Sequence, residues 1–498
     1  MTSSHLPLQA QKNAGIVYEL RYSKFKPVEL RIPVDWAMDP FDNRNWRHNL
    51  LSLRWFGRAP LAVQVAFLHD FYIFHFLQKR PNSMVGTRLG DHTTALRLES
   101  VGGLHSKSIQ VGDQRTVGLC ERIMRKDIAT LLSPKVYRAG HNHGVMADTA
   151  ILEALDRLQP TDQNIRKAVV RRGMESQAQL FDEEGITREH SISYQEYNYP
   201  VVMRFLQAAA RDLIDNQQSK QQKLAHATRE ILAHFTRSNG QFFPVGDSFR
   251  LPNEDIRKQY PEIDPCNINL DGGERLFCKG GFFSYFRDTI APRLHFVATA
   301  CWNSGYHKQD DDLSFCLELD GNMVFDDPGY TALISTDALY SLSNADIHSG
   351  VTVLRTKFGS RTHEPSGTGF QDWSQHVRGF VLRGSHTRVP GFVIGRCWCL
   401  TSNRLVIIDS IRGQITDETM SQHSFVLAPA LKFVEIDRRI HLLRDDSLVG
   451  VLKADDESGS WRAAMVPHVG EDASLGQTVR LTYTAPACLG HSFDFSFG

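Results

Sequence analysis

Three polar clusters in this 498-residue chain hold side chains that can move protons, bind anions or ligate a metal. The first is His141-Asn142-His143-Gly144, directly before an apolar-periodic stretch that begins near Val145. A helix starting there offers free N–H groups and the positive end of its dipole, which suits an anion. Asn142 and His143 beside it are placed to clamp a carboxylate and weaken its charge; the same residues also read as a plain capping sequence. The second cluster is Glu189-His190-Ser191-Ile192-Ser193-Tyr194-Gln195. A tyrosine among polar groups carries protons when its phenolate is stabilised, although tyrosine is also a common helical core residue. The third is His307-Lys308-Gln309-Asp310-Asp311-Asp312, then Asp326-Asp327-Pro328-Gly329 and His348. Carboxylates and histidines so separated either converge across a hairpin on a metal or form a solvated turn.

The elements that must position these groups change character along the chain. Residues 1–40, with Pro27, Pro33 and Pro40, read as an extended N-terminal arm. Residues 41–285 read as a helical domain. Leu61, Val65, Leu68, Phe71 and Tyr72 share one helical face, and Ile151, Leu152, Leu155 and Leu158 stripe a helix over 145–158. Two more helices are predicted over 201–216 and 222–235. Short polar breaks between them favour helical hairpins packed side by side, in a bundle or toroid. The Pro, Asp, Asn and Gly of 244–281 mark a hinge. Residues 286–498 then take a strand habit, with two short strands around Asp320-Gly321-Asn322 and further strands near 351–354, 379–382, 392–400, 405–408 and 479–483. No long helix pairs with them, so an antiparallel β-sandwich is predicted.

Composition narrows the function. The 56 Lys+Arg balance 56 Asp+Glu, which argues against a general nucleic-acid binder. The apolar run 61–77 is interrupted by Gln64, His69, Asp70 and His75, so it predicts a buried helix and no membrane span. The eight cysteines show no Cys-x-x-Cys spacing and read as reduced thiols. The N-terminus carries no charged region followed by an apolar core, so a cytoplasmic location is expected, with export by another route left open. Gly-x-Gly-x-x-Gly after a strand, a Gly-Lys-Ser/Thr loop, Gly-x-Ser-x-Gly and His-Glu-x-x-His are all missing, which demotes nucleotide cofactors and zinc-protease chemistry.

Taken in order, the clusters resemble the heparinase II/III-like family of polysaccharide lyases. The similarity runs from Trp36-Ala37-Met38-Asp39-Pro40 through Trp46, Asp91-His92, Asn142-His143-Gly144 and Glu189-His190-Ser191 with Tyr194. It continues to the specific stretch His307 to Gly329 and to His348. The resemblance implies an incomplete α/α toroid followed by an antiparallel β-sandwich, a multidomain α+β chain. It implies an acidic, uronic-acid-containing polysaccharide or oligosaccharide as substrate, cleaved by β-elimination without an organic cofactor. In that scheme Asn142 and His143 neutralise the uronate carboxylate. Tyr194 removes the C5 proton, protonates the leaving oxygen, or does both. His307 binds substrate or serves as partner acid or base. Arg88, His92, Arg97, Glu189 and His190 are the implied substrate-binding residues. A structural zinc is implied on Asp327, His348 and Gln309, where Gln309 stands in place of a histidine common in relatives. Gln195 likewise replaces a histidine that often follows the tyrosine. These two departures keep open a non-catalytic glycan-binding or exopolysaccharide-assembly protein with the lyase fold; a uronate C5-epimerase, which shares the proton abstraction, is a further alternative.

Overall fold

In the computed structural model of the chain, the described residues are 15–22, 25–77, 90–158, 162–213, 217–248, 273–277, 280–300, 302, 307–331, 342–359, 368–376, 378–472, 474–487 and 490–498. They divide into two compact units, one of residues 1–180 with 200–217 and the other of 181–199 with 218–498.

The helical unit holds α1 (Arg44–Ser52), α2 (Leu61–Tyr72), α3 (Gly90–Gln110), α4 (Gln114–Leu132), α5 (Asn142–Arg157) and α6 (Gln163–Leu180). The periodic stretch from Leu61 is a buried helix, as its spacing predicts. Among the described residues no helix is long and apolar enough to cross a membrane. The expected arm is anchored: Val17–Leu20 pairs with Val28–Arg31 as an antiparallel hairpin. Tyr18 stacks on Trp55 at 5.0 Å, and Trp36 meets Phe71 edge-on at 5.1 Å. Its indole N–H donates to Asp70 at 2.9 Å, so the arm belongs to the helical core.

The next helix, α7 (Ile192–Ala209), starts nine residues before the predicted 201 and runs through Pro200. A proline lacks an N–H and crowds the preceding turn, yet the helix carries it in its interior. Its first part, with Tyr194, belongs to the second unit and its remainder to the helical one. α8 (Gln217–His234) also contributes to the second unit. Ile231, Leu232 and Ala233 at its end share a core with Phe282, Phe283 and Phe296 of the sheets. Burying side chains of this size is worth about 1.5–3 kcal/mol each, which is why these helical residues fold with the strands.

Strand structure opens at Glu274–Phe277, before the expected boundary at 286. A five-stranded antiparallel sheet runs Glu274–Phe277, Phe282–Arg287, Leu294–Thr299, Phe315–Leu319 and Asn322–Phe325. Leu319 pairs with Asn322, and the two turn residues Asp320 and Gly321 have φ of +46° and +80°. Both must be positive in the tight hairpin turn that matches strand twist, which the Asp-Gly pair permits. An eight-stranded sheet follows in the spatial order Lys432–Ile436, Arg439–Arg444, Ser447–Ala454, His491–Phe497, Arg404–Gly413, Phe392–Leu400, Gly379–His386 and Gly369–His376. A four-stranded sheet is made of Ser460–Val469, Leu475–Pro486, Met420–Val426 and Val351–Val353. Phe325, Phe425, Phe493 and Phe495 from these sheets are buried in one shared core. The chain is thus a helical domain followed by an antiparallel β-sandwich.

Inside the sandwich Ser421, His423 and Asp409 line up like a hydrolytic triad, with Ser421 Oγ 2.9 Å from His423 Nε2 and His423 Nδ1 2.8 Å from Asp409. All three are fully buried, and both oxygens of Asp409 are also gripped by the Nε/Nη2 edge of the Arg396 guanidinium. A nucleophile that no substrate reaches is a core network, not a site.

Candidate functional site

The second unit gathers a proton-handling group around the start of α7. The loop before the helix is shaped by Asp182, whose side chain accepts from the Glu184 and Ile186 N–H groups. Gln195 then clamps the loop to the helix. Its carbonyl oxygen accepts from Thr187 N–H at 2.6 Å, and its amide donates to Gly185 O at 3.1 Å and Thr228 Oγ1 at 2.9 Å. An amide suits this place because it donates and accepts at once from a buried position. The departure from histidine at Gln195 therefore has a structural use.

Against this start packs the segment 243–248, whose residues were expected from Pro244 onward to belong to a hinge; residues 249–272, 278 and 279 of that hinge lie outside the described residues. Ile192 N–H donates to Ser248 Oγ at 3.1 Å. Gly246 has φ of +59°, and a Cβ there would sit 2.0 Å from the His190 carbonyl oxygen. Only glycine allows both the conformation and the approach. Between these two anchors Asp247 places Oδ2 2.9 Å from His307 Nδ1 and accepts from Gln309 Nε2 at 2.8 Å on Oδ1.

The His307 ring stacks on the Tyr194 ring with centroids 3.8 Å apart and planes 25° from parallel. Glu189 Oε2 lies 3.8 Å from His307 Nε2. Tyr194, Glu189 and His307 are therefore one group, and His307 and Tyr194 are only partly buried. Burial, reinforced by Tyr330, Asp247 and Glu189, holds the Tyr194 phenol well above its ordinary range. Tyr194 thus keeps its proton and is suited to give it to a strongly basic oxygen. His190 is buried with φ of +53°. Asp247 was missed because chain distance hides it: it lies 60 residues from His307, inside a stretch whose Pro and Gly content suggested a hinge.

The helical unit brings together a second group by itself. His141 caps α5, its Nδ1 accepting from His143 N–H at 3.1 Å. Gly144 lets the first turn meet the chain before it, since a Cβ would fall 2.2 Å from Arg138 O. His143 lies 3.4 Å from Asp91, and Arg138 approaches the other Asp91 oxygen at 3.4 Å. The His92 ring sits 4.5 Å from His143 and 4.8 Å from His48. Burial, with the neighbouring rings, pushes His92 down to about 2; burial and Arg54 push His48 down to about 4. Both rings are neutral near pH 7. Asn142, His143 and His92 are together here, while His48, distant in sequence, carried no signal.

Two expected roles do not match the geometry. Arg97 is buried and spends its guanidinium on Asp127, with Nε at 2.9 Å and Nη2 at 2.7 Å, so it is a structural ion pair and not a substrate ligand. Arg88 lies outside the described residues. The zinc ligands also diverge. Gln309 is turned to Asp247, and Asp327 is hydrogen-bonded to His348 Nδ1 at 2.9 Å. His348 Nε2 is buried without a hydrogen bond, a single donor where structural zinc takes four. Nearby, Lys308 already sets its ammonium 2.7 Å from Asp311 and 3.2 Å from Asp312, and Arg388 pairs with Asp310. Among the described residues no group of three or more His, Cys, Asp or Glu is arranged to hold a metal. As placed among the described residues, Gln309, Asp327 and His348 do not fit zinc.

No family model matches the chain, and no curated protein matches it significantly in sequence. Solved structures do match. A mutant heparan sulfate lyase, HepC, from Pedobacter heparinus superposes with a TM-score of 0.68 at 14% identity, over 98% of this chain and 82% of that one. A heparinase III superposes with a TM-score of 0.70 at 13% identity, over 93% and 79%. A second heparinase III, with methylated lysines, gives 0.71 at 13%, over 99% and 84%. The fold expected from the resemblance is therefore the fold observed, and the chain has the architecture of the heparinase III type of polysaccharide lyase.

Proposed function

We propose that this protein is a polysaccharide lyase that cleaves an acidic, uronic-acid-containing glycan by β-elimination. The observation that carries the reading is the Tyr194–His307 stack at 3.8 Å, flanked by Asp247 and Glu189. In the reaction the C5–H bond gives its proton to a base, and its electron pair becomes the C4–C5 double bond. The C4–O bond breaks, and the leaving oxygen takes a proton. Tyr194, held protonated, supplies that proton, and the His307 ring beside it is the partner base. Asn142 and His143 are the groups we assign to the uronate carboxylate. Hydrogen-bond donors there lower the cost of charge developing next to C5. No organic cofactor or metal enters these steps.

The experiment is absorbance of the unsaturated uronate during incubation with a panel of acidic polysaccharides. A rise on one of them, abolished in Tyr194→Phe, is the expected result. Saturable binding with a flat trace would favour a glycan-binding protein and overturn the proposal. Solvent deuterium entering C5 without an unsaturated product would replace it with an epimerase.

A further inference from the structure

We propose that Asp247, held by Gln309, is a positioning residue that fixes the tautomer of His307. An ionised carboxylate only accepts hydrogen bonds, so the imidazole nitrogen facing it carries the proton. That nitrogen is Nδ1, 2.9 Å from Asp247 Oδ2. In the neutral ring Nε2 is then the nitrogen with a lone pair; the carboxylate nearest to it, Glu189 Oε2, is 3.8 Å away, beyond hydrogen-bond distance, while the ring face stacks on Tyr194. The second oxygen of Asp247 accepts from the Gln309 amide at 2.8 Å, so both ends of the carboxylate are tied.

The carboxylate is also held from its own backbone. Gly246 on one side lies against the His190 carbonyl in a conformation open to glycine, and Ser248 on the other accepts from Ile192 N–H. Asp247 is thereby fixed to the start of the helix that bears Tyr194. His307 itself has φ of +55°, an uncommon backbone state that keeps its ring in this place. Gln309 is buried at 1% exposure, and its amide nitrogen is directed at this carboxylate. The catalytic meaning of the tautomer rests on the lyase reading above; the tautomer itself does not.

The test uses the full chain labelled with ¹⁵N-histidine, with His307 assigned by comparison with His307→Gln. Long-range proton–nitrogen correlation is expected to show the neutral His307 ring protonated on Nδ1. In Asp247→Asn an amide can turn its NH₂ toward Nδ1, so the proton moves wholly or partly to Nε2. Turnover should fall on the order of 10²- to 10⁴-fold, as expected when a carboxylate that sets an imidazole tautomer becomes an amide. KM should stay within about threefold, because the base is misprotonated while substrate contacts persist. Gln309→Met, which removes only the tie on the carboxylate, should shift the same signals part of the way. Melting curves of both variants report whether the fold is kept. A wild-type ring protonated on Nε2, or a tautomer unmoved by Asp247→Asn, would overturn the proposal. If the tautomer behaves as stated while no acidic glycan yields unsaturated product, the positioning stands and the lyase reading falls.

Discussion

Asp409→Asn probes the most deeply buried charge network of the sandwich. Asp409 and Arg396 face each other on adjacent strands, and both side chains are fully buried. Arg396 Nε and Nη2 donate to the two carboxylate oxygens at 2.6 and 2.9 Å. At an effective dielectric near 20, with charge centres about 4 Å apart, the gross attraction is ~4 kcal/mol. The asparagine leaves the guanidinium uncompensated, a change that costs about 3–5 kcal/mol in a buried pair. Arg396 Nη1 keeps the carbonyls of Leu313 and Ser349, which argues for the lower end of that range.

The pH dependence supplies an independent sign. Burial alone would raise Asp409, but Arg396 and the His423 hydrogen bond outweigh it and hold the carboxyl down to about 2, below the ordinary 3.8. A depressed carboxylate stabilises the fold above the ordinary value, and that stabilisation is lost as pH falls through the folded value. Wild type therefore gives up ~2 kcal/mol across this window that the asparagine protein does not have to lose. Burial also lowers His423, against the pull of Asp409, so both proteins weaken as pH drops below 6.5. The assay is amide exchange in the strands Phe392–Leu400 and Arg404–Gly413, with denaturant unfolding at pH 7 and near pH 3. A loss below about 1 kcal/mol at pH 7, the scale of a solvated surface pair, would refute the buried pairing. Because Asp409→Asn also removes the pull on His423, the sign is read in a His423→Gln background, where a gap that widens toward pH 3 would refute it.

Tyr194→Phe should lower turnover about 10²- to 10⁴-fold, the usual worth of a positioned proton carrier, with binding of the same glycan little changed; initial rates and equilibrium binding check this. Arg97→Met should cost about 3–5 kcal/mol of stability by stranding Asp127, yet leave KM unaltered, and a raised KM in a folded variant would return Arg97 to the substrate. Gln195→Leu removes three buried hydrogen bonds and should destabilise the loop before α7 by about 3 kcal/mol, read as lost exchange protection of the Thr187 amide. Chelator treatment should leave the melting temperature and turnover as they were, and a fall in either, restored by added zinc, would show that Asp327 and His348 do find further ligands.

Local pattern was enough for several features. The periodicity from Leu61, the stripe of α5 and the Asp-Gly turn before Asn322 specify their elements because side-chain spacing and backbone freedom are properties of neighbouring residues. The order of the polar clusters was also readable, and with it the fold. Tertiary structure decided what those residues do. Arg97 looked available for an acidic sugar until Asp127, 30 residues away, occupied it. Gln309 stood in a metal-like stretch until Asp247, 62 residues away, took its amide. Asp247 itself was invisible among the prolines and glycines of an expected hinge. Hydrogen bonds and ion pairs form between groups that folding brings within about 3 Å, and separation along the chain carries no trace of them. Periodicity therefore set the elements, while the partners of each charged side chain were set only by packing.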